Sequence, residues 1–85
     1  MSILTKKSVL VTGGTGSIGT ALVKKAICDK AKLIRVFSND ENSLYEIESK
    51  FGMHKNIEYV IGDIQNEEIV SEIVKGIDIV FQQQL

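Results

Sequence analysis

Apolar residues in this chain come in two alternating rhythms. Residues 8–12 are apolar almost throughout, with Val9, Leu10 and Val11 in a row, as in a strand covered on both faces. From Ser17 the spacing turns helical: Ile18, Leu22 and Ala26 fall four apart, with Ala21 beside them and Lys24 and Lys25 opposite. Asp29 and Lys30 close that helix. Residues 32–37 (KLIRVF) return to a strand rhythm. A second helix opens around Ser38-Asn39-Asp40-Glu41. Ser38 and Glu41 have capping-box spacing, and Asn39 or Asp40 serves equally well as the cap. Leu44, Ile47 and Phe51 make its apolar stripe, and Gly52 stands where a left-handed residue would end it. Residues 57–61 form a third strand, ended by Gly62-Asp63. Asn66 caps a third helix with Ile69, Val70, Ile73 and Val74 on its core face. Gly76 stops that helix, and residues 77–81 (IDIVF) make a fourth strand.

The order is therefore βαβαβαβ. Crossovers of helical length make the strands parallel and the connections right-handed. Three such windings that begin at a glycine turn predict an α/β, Rossmann-like three-layer fold with strand order 3-2-1-4. The first two helices then cover one face, the third covers the other, and the topology reverses between strands 1 and 4. This is half to two-thirds of a full Rossmann domain.

The glycine turn carries the candidate chemistry. In VLVTGGTGSIG, Gly13, Gly16 and Gly19 sit three apart between the first strand and the first helix. One glycine permits a sharp turn, one lets backbone approach a pyrophosphate, and one lets the helix pack close to the sheet. The helix start then directs unpaired N–H groups at the phosphates. A phosphate-loop reading fails, because Gly19 is followed by Thr20-Ala21 rather than a Lys-Ser/Thr pair. At the tip of strand 2, an acid would select a ribose 2′-hydroxyl, whereas a small residue with a nearby Arg would accommodate a 2′-phosphate. Ser38 is small, but no Arg follows it. Asp40 is placed either to reach the ribose or to cap the helix. Asp63 stands where a carboxylate could accept from an adenine amino group, although on spacing alone it reads as a turn acid.

Composition narrows the alternatives. At 85 residues this is one domain at most, with a small core. The net charge is −1, with both signs interspersed, so no basic footprint predicts nucleic acid. No run approaches the ~20 apolar residues of a membrane span, and the N-terminus lacks the apolar core of a signal peptide. The single Cys28 cannot form an internal disulfide and fits a reducing compartment. These features predict a cytoplasmic protein without membrane or nucleic-acid partners. His54 reads as a solvated loop residue. Tyr45 and Tyr59 are followed four residues later by Ser49 and Asp63, not by Lys. No metal cluster and no nucleophile–base pair are visible, so the expected catalytic set is empty.

VLVTGGTGSIG, RVFSNDEN, YVIGDIQNEE and GIDIVF together resemble the N-terminal stretch of the extended short-chain dehydrogenase/reductases. They are most similar to the polysaccharide-biosynthesis branch, the UDP-N-acetylglucosamine 4,6-dehydratases and their relatives, over residues 7–81. The resemblance implies an NAD or NADP cofactor that oxidises a sugar at C4, elimination of water, and return of the hydride to C6. It implies a phosphate turn of Gly13, Gly16 and Gly19 lined by Thr15, Ser17 and Ile18. Ser38, Asn39 and Asp40 would face the adenosine ribose, and Asp63 and Ile64 would hold the adenine. Asn39 stands where the family commonly has Arg, which leaves NAD and NADP both open. Gln82-Gln83-Gln84 replace small residues, and the family's catalytic Tyr-x-x-x-Lys lies beyond residue 85.

Residues 1–85 thus read as a single truncated NAD(P)-binding domain of a nucleotide-sugar dehydratase or epimerase, not catalytic by itself. A stand-alone nucleotide-binding module, or a Rossmann fragment without activity, are the competing readings. A bare edge on the fourth strand and an uncovered sheet face predict a homodimer or higher oligomer.

Overall fold

The computed structural model describes residues 4–12, 17–52 and 54–82. Its elements run β1 (Ser8–Thr12), α1 (Ser17–Cys28), β2 (Leu33–Ser38), α2 (Glu41–Phe51), β3 (Ile57–Ile61), α3 (Glu67–Ile73) and β4 (Ile79–Gln82). All strand pairs are parallel, in the order β3-β2-β1-β4. This is the three-layer Rossmann-like arrangement and strand order expected from the pattern.

The two sheet faces bury different residues. Val9, Val11, Ile34, Val36 and Ile57 pack against Val23 and Ala26 of α1 and Leu44 and Ile47 of α2. The opposite face places Leu10 and Phe37 against Ile73 of α3, with Val60, Ile69 and Ile77 at the margin. Central β1 is buried at all five positions, which is why it needs a continuous apolar run.

Three expectations are corrected. On α1 the buried positions are Gly19, Val23 and Ala26, with Leu22 half-buried, while Ala21 is exposed. The helix is rolled so that its branched side chain, rather than the small alanine, fills the space over β1. On α3, Val74 is 42% exposed and serves as the C-cap, so the helix ends well before Gly76. β4 begins at Ile79 rather than Ile77. Asp78 intervenes, its N–H donating to the Ser8 carbonyl at 2.8 Å while its Oδ2 accepts from the Ser8 N–H at 2.9 Å. That exchange uses the strand-pairing groups of Ser8, and the regular ladder starts one residue later with Val9 opposite Ile79.

The helix ends otherwise follow local chemistry. α1 closes in a Schellman motif, with Lys30 N–H donating to Ile27 O and Ala31 N–H to Ala26 O. Lys30 holds the left-handed φ of 58° that this motif demands. α2 ends at Gly52, with φ 70°. The side chain of Asn66 caps α3 by accepting from the Glu68 and Ile69 N–H groups.

Candidate functional site

Parallel pairing lines up the carboxyl ends of all four strands on one edge of the sheet. Thr12 lies beside Phe37 on one side and Gln82 on the other, and Ser38 lies beside Ile61. The order reverses between β1 and β4, which makes this edge the topological switch point, the place where open α/β sheets take ligands. Gly13, Thr15 and Gly16, the centre of the expected phosphate turn, lie outside the described residues, as do the side chains of Ser17 and Ile18. The backbone nevertheless places the start of α1 at Ser17, five residues after Thr12 ends β1, and Gly19 is buried in its first turn.

At the end of β2 the chain turns through Ser38-Asn39-Asp40. Ser38 is buried, and its Oγ accepts from the Asp40 N–H at 3.1 Å. Asn39 is exposed. Asp40 is the N-cap of α2, settling a choice the sequence left among three residues. Its Oδ1 accepts from the Asn42 N–H at 3.1 Å and its Oδ2 from the Ser43 hydroxyl at 2.7 Å. The Ser43 hydrogen bond, helped by the backbone N–H groups of Asn42 and Ser43, holds this carboxyl below its ordinary value of 3.8. Asp40 therefore presents a fixed negative charge at the strand tip. Capping does not exhaust it, since each carboxylate oxygen has a second lone pair.

β3 reaches the same edge because the Gly62 N–H donates to the Ser38 carbonyl at 3.0 Å. Gly62 is itself a packing requirement. A Cβ there would stand 3.0 Å from Cε1 and 3.2 Å from Cζ of the buried Phe37 ring. Asp63 follows as an exposed turn acid, with Oδ1 accepting from the Gln65 N–H at 2.9 Å. Among the described residues nothing else binds this carboxylate. Ile64 is 46% exposed beside it, an apolar surface next to an acceptor. The fold thus brings Ser38, Asp40, Asp63 and Ile64 to neighbouring strand ends, with Gly19 at the base of the adjoining helix.

Local spacing does not reveal every support of the fold. Gly62 reads there only as a strand stop, and Arg35 and Asp78, the latter at the opposite edge beside Ser8, carry no visible role. For Arg35 the signal was its charge in an otherwise apolar strand. Glu58, directly opposite it in the β2–β3 register, completes the pair.

The model of the family described as "polysaccharide biosynthesis protein" matches residues 9–84. The chain belongs to this family. It is thereby a member of the extended short-chain dehydrogenase/reductases, as its motifs suggested. Among relatives of the polysaccharide biosynthesis family chain, an uncharacterized membrane protein of Methanocaldococcus jannaschii is 39% identical over 75 residues, covering 88% of this chain and 22% of that one. A UDP-glucose 4-epimerase of Rickettsia bellii is 38% identical over 79 residues, with 88% and 23% covered. The structure of Pen from Bacillus thuringiensis superposes with a TM-score of 0.90 at 36% identity, covering 99% of this chain and 26% of that one. WbmF of Bordetella bronchiseptica, solved in complex with NAD+ and UDP, shares the fold at a TM-score of 0.77 and 22% identity, with 98% and 24% covered. The chain spans about a quarter of the length of these proteins.

Proposed function

We propose that this chain holds a nicotinamide dinucleotide at the carboxyl edge of its sheet, as the cofactor-binding part of a nucleotide-sugar epimerase or dehydratase. The observation that carries the reading is the convergence of Ser38, Asp40 and Asp63 at adjacent strand ends, beside the helix that follows the glycine turn. Their chemistry fits the group. The carboxylates can accept from ribose hydroxyls and an adenine amino group, the buried Ser38 hydroxyl fixes the turn that carries Asp40, and the exposed side chain of Ile64 offers an apolar surface to a purine. In this reading Gly13, Gly16 and Gly19, with Thr15, Ser17 and Ile18, form the pyrophosphate turn, and Asn39 completes the ribose contact. In this reading the negative charge of Asp40 would disfavour a 2′-phosphate at the ribose, which supports NAD over NADP. When bound, the nicotinamide supplies a hydride acceptor. This chain's residues orient the adenosine half and carry no proton transfer. The family membership and the epimerase relative support a nucleotide-sugar substrate for the longer protein, to which this chain would contribute cofactor binding without catalysing alone.

Fluorescence titration of the chain with NADH and NADPH tests this directly. Saturable NADH binding that Asp63→Ala weakens roughly tenfold, the loss expected of one charge-assisted hydrogen bond, is the expected result. Absence of binding for both nucleotides at millimolar concentration overturns the reading and leaves a scaffold without a working site.

A further inference from the structure

We infer that the amino-terminal edge of the sheet, opposite the candidate site, is a docking face for an anionic phospholipid surface. Residues 1–37 contain seven of the chain's ten Lys and Arg but only one of its eleven Asp and Glu. The fold gathers four of these lysines at the amino-terminal edge, which they share with Asp78, whose Oδ2 accepts from the Ser8 N–H. Lys6 and Lys7 immediately precede β1, and Lys30 and Lys32 precede β2. Backbone hydrogen bonds stitch these two segments together, Lys6 N–H to Lys30 O at 3.2 Å and Lys32 N–H to Lys7 O at 2.9 Å. All four lysines are exposed, and none has an ion-pair partner among the described residues. The one acid of the segment, Asp29, is nearly buried and is paired with Lys25 at 3.4 Å.

The acids of the carboxyl edge, Asp40, Glu41, Asp63, Glu67 and Glu68, stand at the far end of the molecule. Its principal extents of 24–35 Å are several times the Debye length of about 8–10 Å near physiological salt. The charge of the lysine face is therefore largely screened from those five acids, and Asp78 beside Ser8 offsets part of it.

Backbone conformation supplies a second, independent observation. Lys6 at φ 60° and Lys30 at φ 58° are the non-glycine residues with positive φ among those described. Both belong to this face, and Lys30 occupies the helix-ending position where glycine is the usual choice. Glycine would be easier at either position, and no side-chain ion pair among the described residues accounts for the lysines.

The composition of the face selects the partner. Residues 4–9 and 24–33 contain lysines but no arginine and no aromatic residue. Lysine is a hydrated point charge suited to a diffuse anionic field, whereas nucleic-acid surfaces draw on arginine forks and stacking aromatics. No helix among the described residues is long and apolar enough to cross a membrane, so the contact is peripheral. Docked this way, the carboxyl edge of the sheet faces away from the lipid and remains open.

Co-sedimentation of the 85-residue chain with vesicles tests the inference. Vesicles of phosphatidylcholine with about 30% phosphatidylserine should bind it at low salt and release it as salt rises, and vesicles of phosphatidylcholine alone should not. Lys6→Gly with Lys30→Gly removes two charges at positions that favour glycine, so the fold persists while partitioning falls roughly 25-fold, about fivefold per lysine. Lys7→Gln with Lys32→Gln should act similarly and stands in if the first pair fails to fold. Glu67→Gln with Glu68→Gln at the far end should leave partitioning unchanged. Binding to phosphatidylcholine alone, absence of binding to the anionic vesicles, or binding that ignores both lysine pairs overturns the proposal. Tighter binding to duplex DNA than to the anionic vesicles also overturns it and reassigns the face to nucleic acid.

Discussion

The guanidinium of Arg35 donates from Nη1 to the main-chain carbonyl of Ile73 at 2.7 Å, joining the middle of β2 to the last residue of α3. The same nitrogen reaches the Lys75 carbonyl at 3.4 Å, and Nε pairs with Glu58 Oε2 at 3.1 Å. A cation thereby meets the negative end of a short helix whose last turn has no basic residue of its own. The contact anchors the one helix that packs Ile73 over Leu10 and Phe37. Arg35→Met should destabilise the chain by about 1.5–3 kcal/mol, the range for hydrogen bonds from a charged donor. Denaturant unfolding reads the loss, and amide exchange should rise first in residues 67–73. Lys at this position should rescue only partly, because an ammonium cannot serve two carbonyls and a carboxylate from one plane. Glu58→Gln should cost less than about 1 kcal/mol, since that carboxylate is half exposed.

Gly62→Ala should destabilise by about 1–3 kcal/mol, as expected for overpacking a filled core. Phe37 is 2% exposed and cannot swing aside, and Ile69 Cδ1 lies 3.3 Å from the new Cβ position on another side. Gly62 also sits between Ser38 and Asp63. A backbone shift there should weaken nucleotide binding together with stability, whereas Asp63→Ala should weaken binding with little change in melting temperature.

The Asp40 carboxyl titrates below 3.8 because the folded chain hydrogen-bonds its charged form, first through Ser43. A depressed folded value means that the stabilisation is complete above the unfolded value. It is lost as pH falls below about 4, through the lowered folded value. Ser43→Ala should move the Asp40 titration back toward its ordinary position in an NMR pH series. An unchanged titration would remove Ser43 as the principal cause.

Tyr59 shifts the other way. Its phenol donates to the Gly52 carbonyl at 3.2 Å, and burial, followed by the charge of Glu48, raises it above 10.0. The neutral form is the one folding favours, so its contribution is intact below pH 10 and disappears as pH rises through the folded value. Ultraviolet absorbance titration should show Tyr59 ionising above pH 10, and Glu48→Gln should lower that value. Tyr59→Phe should cost about 0.5–1.5 kcal/mol, the net worth of one hydrogen bond.

β4 lies at an edge of the four-stranded sheet, and Val80 on it is 50% exposed. An edge with apolar side chains favours pairing with a second copy. Sedimentation velocity at tens of micromolar should give a dimer or larger species, insensitive to salt. Val80→Lys should shift it toward monomer, and a wild-type monomer at that concentration refutes the edge-pairing expectation.

Much of this molecule is written locally. Five buried positions in β1 require five residues tolerant of burial, and residues 8–12 supply them. The Asn66 cap, the Gly52 stop and the βαβ order follow from short-range sterics and hydrogen bonding, which act within a few residues whatever lies across the sheet. The order 3-2-1-4 follows as well, because right-handed crossovers leave few alternatives. The elements of the glycine-turn motif that fall outside positions 13–16, a strand ahead and a helix beginning at Ser17, stand where the spacing put them.

Tertiary packing decided what local spacing left degenerate. Ser38, Asn39 and Asp40 are equivalent as caps until the pairing of Ser38 with Ile61 commits Ser38 to the strand and leaves Asp40 to receive the helix. Val23 faces inward and Ala21 outward on α1 because helix roll is set by the volume available over β1. Val74 lies outside the helix because Arg35, distant in sequence, takes the carbonyls at its end. The gathering of Lys6, Lys7, Lys30 and Lys32 at one edge of the sheet arises in the same way. Parallel topology sends every strand start to one edge and every strand end to the other, gathering the residues that flank them. Pattern along the chain records which residues neighbour in sequence; only the crossing of the chain over itself places Ser38 beside Asp63 and Lys6 beside Lys30.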